Sequence, residues 1–479
     1  MSSAAKKKID EEQCTGYFSE NARSAAKKKR DEKQCAGYFS ENARGNVCDR
    51  LENTEYLQHS SENFWHGRAY TGPPKKPMCT WESNKPPRDD HGAPIWLKAS
   101  EFEDDKTIID WKCEQLAQLM KLSKKTVLYT GAGISASVVG QAARSGQNTV
   151  GWKTGDKRLV KPTFTHFALA HMARVGYIDS WVQQNHDGLP QKAGYPQENI
   201  NEIHGSWFNP GNPVVKYSGS LHDRTWPWMM EAAETADLVI VIGTSLSGLS
   251  ADCVATKTAE RSRYGASLGT VCINLQQTAV DGDMSLRLFG KSDDVLRKLA
   301  HKLGLGSVPT TVPSYSSERA VPVPYDKDGI RLPPGSKEPK MYLDFSDGAK
   351  IKLAPGHNIQ GARQPCYMHI GAKMKTKYRG VMREPGDGTG RVARRELYSY
   401  VLLINYAQMH LGVWWLDAAK RGALEAIPVV NLYPVFENSG KKSKNIGNKS
   451  KAQQRKHHGP TPTYRQLLEK RRKQARKSK

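Results

Sequence analysis

A short polar segment carries the residues whose types best suit chemistry. Segment 184–188 reads QNHDG, and His204 follows it after 15 residues. Amide and carboxylate groups this close together can hold ribose hydroxyls and a carboxamide, and a nearby histidine can act as general base on a sugar hydroxyl. A histidine before a glycine is more often a capping or core residue, so this pattern alone leaves both roles open.

Two turns that follow apolar runs are candidates for binding a nucleotide. The run 126–130 (TVLYT) leads into a turn with Gly131 and Gly133, where backbone amides can approach a pyrophosphate. A structural tight turn explains these glycines equally well. The run 238–242 (LVIVI) leads into GTS at 243–245, which places small hydroxyl side chains where ligands of open α/β sheets bind.

The same apolar runs predict the elements that position these residues. Strands are predicted at 126–130, 238–242 and 271–275, and apolar residues at helical spacing predict helices at 111–123, 228–236 and 293–303. Continuous apolar strands that alternate with helices are typical of a parallel sheet covered on both faces. We therefore predict an α/β fold with a Rossmann-like parallel sheet over residues 96–306.

The chain from 320 to 436 has a different pattern and is predicted to form a mostly β domain. Two alternating runs are joined by Asp347-Gly348, which predicts a hairpin. Further segments rich in aromatic and β-branched residues are 366–374, 398–408, 410–416 and 427–436. No motif in this domain indicates its chemistry.

The N-terminal 65 residues repeat with a period of 21. Segments 3–23 and 24–44 are nearly identical, and a degraded third copy keeps the Ser-Glu-Asn triplet at 61–63. So few apolar residues cannot bury a core, which predicts either a duplication in a disordered tail or an extended array along a repeating partner surface. Residues 66–95 continue as a Pro-rich, basic linker.

The net charge of +24 is concentrated at the C-terminus. Residues 441–479 hold 15 Lys or Arg and one acid, Glu469. Such a tail binds a polyanion such as DNA, RNA or an acidic protein surface, and 470–477 is typical of a nuclear import signal. A solvated tail is the alternative. No run approaches the roughly 18 apolar residues of a membrane helix, and the N-terminus lacks an apolar signal core, so neither membrane insertion nor secretion is expected.

The positions of the eight cysteines bear on whether the chain can hold a zinc module. They lie at positions 14, 35, 48, 79, 113, 253, 272 and 366, and no two form a Cys-x-x-Cys pair. The pattern excludes a zinc ribbon and a thioredoxin-type redox pair. Reduced thiols in a cytosolic or nuclear protein are the simplest interpretation.

Taken in order, the motifs of 96–306 resemble those of the sirtuins, the NAD-dependent protein deacylases, and most closely the class IV, nuclear branch. The matching segments are TGAGIS (130–135), GWKT (151–154), PTFTH (162–166), QNHDGLPQKAGYP (184–196), EIHGS (202–206), VVKYSG (214–219), ADLVIVIGTSL (236–246), INLQ (273–276) and GKSDDVLRKLAHKLGL (290–305).

The resemblance implies a reaction and a set of site residues. In sirtuins the acyl-lysine oxygen attacks the nicotinamide ribose carbon of NAD, nicotinamide leaves, and a histidine deprotonates a ribose hydroxyl so that the acyl group migrates to ADP-ribose. By motif, His204 is the base, and Asn185 and Asp187 act with it. The implied cofactor-binding residues are Gly131, Ala132, Gly133, Ser135, Arg144, Gln184, Gly243, Thr244, Ser245, Asn274, Asp294 and Val295. The strand that pairs with the acyl-lysine substrate is implied to contain Val214, Val215, Tyr217 and Gly219.

Three departures from the family pattern weigh against catalysis. Ala142 and Ala143 stand where the glycine loop of sirtuins has Asp and Phe, and the Phe covers the nicotinamide pocket in the family. Only residues 206–213 separate HG from VVKYSG, where the family inserts a four-cysteine ribbon, so no zinc is expected. Pro190 replaces a histidine of class IV members.

Two functions therefore stay open on the sequence. The first is an NAD-dependent protein-lysine deacylase of the nucleus, or of the nucleolus within it, acting on an acyl-lysine protein. The second is a catalytically weak or inactive sirtuin-like component of a large nucleic-acid, chromatin or microtubule assembly, with the cytoskeleton or cilium as the alternative location.

Overall fold

The computed structural model describes residues 63–87, 93, 95–139, 156–215, 221–222, 224–354, 388–405 and 407–437. The described residues up to Val435 belong to one compact unit. The first two repeats, Arg144, Tyr217, Gly219, the segment 366–374 and the basic tail lie outside the described residues. The predicted domain limits stay predictions.

The secondary structure alternates between helices and strands up to residue 302 and is mostly β after it. The helices are α1 Asn63–His66, α2 Lys106–Leu122, α3 Phe164–Arg174, α4 Leu189–Lys192, α5 Thr225–Thr235, α6 Cys253–Ser262, α7 Ser292–Lys302 and α8 Trp414–Lys420. The strands are β1 Met78–Trp81, β2 Glu101–Glu103, β3 Thr126–Thr130, β4 Ser180–Gln183, β5 Ile200–Glu202, β6 Leu238–Ile242, β7 Gly269–Ile273, β8 Leu286–Leu288, β9 Ala320–Val323, β10 Met341–Asp344, β11 Lys350–Leu353, β12 Thr389–Arg395, β13 Ser399–Ile404, β14 Ala407–Gly412, β15 Val429–Asn431 and β16 Val435–Phe436.

A six-stranded parallel sheet forms the centre of the fold, in the order β5-β4-β3-β6-β7-β8. Every residue of β3, β6 and β7 is buried, because helices cover both faces. Along β3, Leu128 faces the cluster that includes α2, α3 and α7, whereas Val127 and Tyr129 face the cluster that includes α5 and α6. The predicted α/β, Rossmann-like sheet is confirmed.

The sequence pattern placed the element ends less accurately than the elements. The predicted helix at 111–123 begins at Lys106, since the Asp105 carboxylate caps it by accepting a hydrogen bond from the Thr107 N–H at 2.9 Å. The third predicted strand, 271–275, is shifted by two residues to Gly269–Ile273.

The C-terminal region is mostly β, as predicted. Five antiparallel strands pair in the order β14-β13-β12-β11-β15, and β9 pairs with β10. The predicted hairpin across Asp347-Gly348 is wrong, because β10 and β11 join different sheets. The physical reason is that β10 lies between β9 and β16, so both of its edges are already paired. The Asn431 side chain also binds the main chain of β10: it accepts from the Asp344 N–H at 2.7 Å and donates to the Asp344 carbonyl at 2.8 Å.

The segment 410–416, predicted from its composition to be β-type, is β only as far as Gly412. From Trp414 the chain is helical. An added Cβ on Gly412 would lie 2.3 Å from the Trp414 ring, so the chain can reverse here only because residue 412 has no side chain. Burial of Trp414 and Trp415 therefore outweighs the β propensity of the aromatic residues.

Trp65 and the start of the basic linker pack against residues that flank or belong to the parallel sheet. Trp65 contacts the rings of Phe102 and Phe289 at centroid distances of 5.3 and 5.6 Å, and the Arg68 N–H donates to the Met284 carbonyl at 2.8 Å. Tyr70 is buried. Within the described part of the chain, no helix is long and apolar enough to cross a membrane.

Candidate functional site

The candidate residues follow the carboxyl ends of β3, β4, β5, β6 and β7. The chain enters the sheet at β3 and proceeds to β4 and β5 on one side and to β6, β7 and β8 on the other. The gap between β3 and β6 is therefore the topological switch point, where open α/β sheets bind ligands. The turns that begin at Gly131 and Gly243 both open at this point.

The glycines of these two turns are required by close packing of the chain on itself. An added Cβ on Gly133 would lie 2.6 Å from the Gly243 α-carbon, and one on Gly131 would lie 2.8 Å from the Thr244 side chain. The Gly131 N–H donates to the Ile242 carbonyl and the Gly133 N–H to the Gly243 carbonyl, at 3.1 and 2.8 Å. Both amides therefore have partners within the protein, and the turn itself is a four-residue 3₁₀ segment, Ala132–Ser135.

Ser135 is the centre of a buried hydrogen-bond network. The Thr163 N–H donates to His166 Nδ1, so the proton of His166 is on Nε2, which lies 3.5 Å from Ser135 Oγ. Asn185 Nδ2 donates to the same oxygen at 3.2 Å and to the Gly131 carbonyl at 3.0 Å. Ser135 in turn donates to Asp187 Oδ2 at 2.8 Å. The network thus brings together the side chains of three predicted site residues, Ser135, Asn185 and Asp187.

Burial lowers the pKa of His166 to about 4, so its ring is neutral at pH 7. The Asp187 carboxylate is fully buried, and its Oδ1 accepts a hydrogen bond from the Leu189 N–H at 3.0 Å. Neither His166 nor Thr163 was predicted as a site residue. The PTFTH segment contains both, but nothing in the sequence places them against Ser135.

A second network links the ends of β4, β6 and β7. Gln184 Nε2 donates to Thr244 Oγ1 at 3.0 Å, and Asn274 Nδ2 donates to the Thr244 carbonyl at 3.2 Å. Ser245 follows and is partly exposed. Three predicted cofactor-binding residues, each following a different strand, are therefore linked by hydrogen bonds at the carboxyl edge of the sheet.

Two other predicted cofactor residues lie on α7 and do not join these networks. Val295 is in the hydrophobic core, and its N–H donates to the Lys291 carbonyl. Among the described residues, no hydrogen bond connects Asp294 or Val295 to the other candidates.

His204 lies just after β5 and is 5% exposed. Its Nδ1 lies 3.2 Å from the Gln184 carbonyl, which can only accept, so Nδ1 carries the proton and Nε2 carries the lone pair. Burial is the main cause that lowers the pKa of His204 to about 4, with a further contribution from His186. The ring is neutral at pH 7, in the tautomer that a base acting through Nε2 needs.

The His186 ring contacts the rings of His204 and Trp207, and neither His186 nor Trp207 was predicted as a site residue. The His186 ring lies 6.5 Å from the His204 ring and 6.2 Å from the Trp207 ring. His186 Nδ1 lies 2.9 Å from the Gly205 carbonyl and donates to it. This hydrogen bond connects His186, which lies between Asn185 and Asp187 in sequence, to the segment that contains His204.

Glu202, the last residue of β5, is a buried carboxyl group two residues before His204. Burial raises its pKa to about 7, against the smaller opposing effect of hydrogen bonding by Ser206, Gln191 and Gln197. The sequence offers no sign of this, since only the tertiary structure removes water from the group.

The short connection after His204 closes on itself. The Ser206 N–H donates to the Asn212 carbonyl at 2.9 Å, and Asn212 Nδ2 donates to the Glu202 carbonyl at 2.8 Å. An added Cβ on Gly205 would lie 2.3 Å from the Pro213 carbonyl oxygen. The chain then reaches Val214 and Val215. The Val215 N–H donates to the His204 carbonyl at 3.0 Å. Among the described residues, no group of three His, Cys, Asp or Glu side chains could hold a metal ion.

Comparison with known proteins agrees with the predicted resemblance. The chain is 27% identical over 272 residues to human NAD-dependent protein deacetylase sirtuin-7, a match that covers 46% of this chain and 65% of that protein. It is 28% identical over 251 residues to the SRT1 deacetylase of Arabidopsis thaliana, covering 43% of this chain and 52% of that protein. It is 27% identical over 273 residues to Drosophila melanogaster Sirt6, covering 46% and 82%. All three relatives are sirtuins, so the chain is similar in sequence to the sirtuin family.

The sirtuin-7 matches agree with the predicted likeness to the class IV branch. The chain spans less than two thirds of the length of the sirtuin-7 relatives. No known family profile matches the chain. A solved structure of Sir2 with a p53 peptide and NAD⁺ is 21% identical, and the match covers 40% of this chain and 98% of that chain with a TM-score of 0.33.

Proposed function

We propose that this chain is a sirtuin, an NAD-dependent protein-lysine deacylase in which His204 is the general base. The observation that carries the proposal is the direction of one hydrogen bond. Because Nδ1 donates to the Gln184 carbonyl, Nε2 is the unprotonated nitrogen, and burial keeps the ring neutral at pH 7. The same hydrogen bond stabilises the imidazolium once the proton has moved.

The residues present fit NAD at the switch point between β3 and β6. Asn185 and Asp187 would hold the nicotinamide end, since the Ser135 network fixes both side chains. The Gln184, Thr244 and Asn274 side chains would hold the ribose and the rest of the dinucleotide. When bound, NAD supplies the ribose carbon that accepts the acyl oxygen as nicotinamide leaves. His204 Nε2 then takes the proton from a ribose hydroxyl.

The acyl-lysine substrate would lie along the segment that begins at Val214 and Val215. The His204 carbonyl accepts from the Val215 N–H, which attaches the start of this segment directly to the base. An extended peptide that pairs with the main chain of this segment would present its acyl-lysine to His204.

The test is turnover with a matched control. The full chain is incubated with NAD and an acetyl-lysine peptide, and nicotinamide and O-acetyl-ADP-ribose are measured. We expect turnover that His204→Ala abolishes and that His301→Ala, which removes an exposed histidine on α7, leaves unchanged. Calorimetric titration with NAD should give similar affinities for all three proteins. Absence of turnover in the unmodified chain would contradict the proposal.

The second candidate is a sirtuin that binds NAD without turnover and serves as a component of a large assembly. The sequence at position 143 favours it. Ala143 aligns with the phenylalanine that covers the nicotinamide pocket in sirtuins, and alanine is too small to exclude water as well as phenylalanine does. NAD binding without product in the same assay is the outcome that supports this candidate.

For either candidate we propose a nuclear location and a polyanionic partner for the tail 441–479. The support is the charge of the tail, 15 Lys or Arg against one acid. Binding of DNA, RNA or an acidic protein should weaken steeply with salt and be lost when the tail is removed. A fluorescent fusion should leave the nucleus when the basic residues at 470–477 are changed to glutamine.

A further inference from the structure

The side chain of Trp414, in the C-terminal β-rich region, contacts two loops of the candidate site. This residue begins α8, directly after β14. Its ring packs on Phe208 at a centroid distance of 5.2 Å. An added Cβ on Gly188 would meet both rings, at 2.7 Å from Phe208 and 3.2 Å from Trp414. Trp414 therefore packs between the loop that carries Asp187 and the connection that follows His204.

A chain of buried polar side chains leads from Trp414 toward His204. The indole N–H donates to Gln197 Oε1 at 2.8 Å, and Gln191 Nε2 donates to the same oxygen at 3.1 Å. Both glutamines face the carboxyl group of Glu202. All four side chains are buried, so the hydrogen bonds between them do not compete with bulk water.

Main-chain hydrogen bonds connect the same elements in parallel. The Gly412 N–H at the end of β14 donates to the Phe208 carbonyl at 3.0 Å. The Glu202 carbonyl accepts from the Gly205 N–H at 3.0 Å and from Asn212 Nδ2 at 2.8 Å. The segment that carries His204 is thus held between β5 on one side and the β-rich region on the other.

We propose that Trp414 is a positioning residue for His204, and that the β-rich region is a structural part of the candidate site. The expected effect of Trp414 on kcat rests on the proposed deacylase function. Its expected effect on the structure around His204 rests on geometry alone. Removing the indole N–H leaves Gln197 without its donor from α8. The Gln191, Gln197 and Glu202 side chains can then shift, and the His204 ring loses its fixed distance from the substrate.

The neighbouring Trp415 provides a matched control. It is buried on the same short helix, at 7% exposure against 5% for Trp414, and the described residues offer its indole nitrogen no hydrogen-bond partner. Trp414→Phe and Trp415→Phe therefore make the same chemical change in adjacent positions. Only the first removes a hydrogen bond that leads to the site.

The experiment compares both variants with the unmodified full chain. Trp414→Phe should lower kcat roughly fivefold, the loss expected for one buried hydrogen bond, with little change in KM for NAD. Amide hydrogen exchange should be faster at residues 202–208 in Trp414→Phe, and unchanged there in Trp415→Phe. Adding Trp414→Phe to Gln197→Leu should lower kcat no further than Gln197→Leu alone, since the indole has then already lost its acceptor.

Equal kcat and equal exchange at 202–208 in the two phenylalanine variants would overturn the proposal. If the unmodified chain has no turnover, the proposed deacylase function fails, but the exchange comparison still decides whether Trp414 holds the His204 segment. Faster exchange in Trp414→Phe alone supports the structural role, and identical exchange refutes it.

Discussion

Replacing Glu202 with glutamine should change how the stability of this protein depends on pH. The carboxyl group is buried, and burial raises its pKa from 4.5 to about 7. A group with a raised pKa in the folded state stabilises the fold below its unfolded value, and this contribution is lost as pH rises through the folded value. Between pH 5 and pH 8 the loss amounts to about 2 to 3 kcal/mol.

Glu202→Gln keeps the size and hydrogen-bonding capacity of the neutral acid but does not titrate. The quantity to compare is the free energy of unfolding of the variant minus that of the unmodified chain, measured by urea titration. This difference should be about 2 to 3 kcal/mol larger at pH 8 than at pH 5. The difference between the two proteins is the quantity to measure. The buried His166 and His204, whose pKa values are lowered to about 4, change the stability of both proteins in the opposite direction.

The control is Glu260→Gln, which changes an exposed glutamate on α6 in the same way. It should leave the difference from the unmodified chain independent of pH. If the difference for Glu202→Gln is also the same at pH 5 and pH 8, the carboxyl group is ionised at neutral pH and the account of its burial is wrong.

Three further substitutions test the scaffold of the site. Arg287→Met leaves the buried Asp281 carboxylate without its ion-pair partner at 2.8 Å and should cost about 3 to 5 kcal/mol of unfolding free energy, measured by urea titration. Gly133→Ala forces a methyl group to 2.6 Å from the Gly243 α-carbon, so it should lower stability by about 1 to 3 kcal/mol and weaken NAD binding in a calorimetric titration. Asn431→Ala removes two hydrogen bonds to the main chain of β10 and should lower the thermal midpoint without changing NAD affinity.

The strands of the parallel sheet could be predicted because their signal is local. Five consecutive apolar residues in β6, and three between two threonines in β3, indicate strands buried on both faces, and that is where they lie. The residues around the switch point could be selected for the same reason, since turns after buried strands open at one edge of the sheet. The directions of the hydrogen bonds among Ser135, Asn185 and Asp187 could not be predicted, because they depend on side chains from three separate segments.

Errors in the C-terminal region have a common physical cause. Asp347-Gly348 does form a turn, with Gly348 at φ 85°, but β10 pairs with β9 and β16 whereas β11 pairs with β12 and β15, which lie further along the chain. The aromatic residues near 414 have β propensity, yet burial against Phe208 makes the segment helical. In both places, a contact distant in sequence outweighs a local preference.

By itself, the sequence determined the order of the elements, the sirtuin motifs and the choice of His204 as candidate base, since each depends on residue type and short-range spacing. Only the tertiary structure decided the protonation states of His204 and Glu202, since a pKa responds to the water that distant segments exclude. It also decided that Trp414 lies against the loops of the site, because no local pattern records which remote surfaces will pack together.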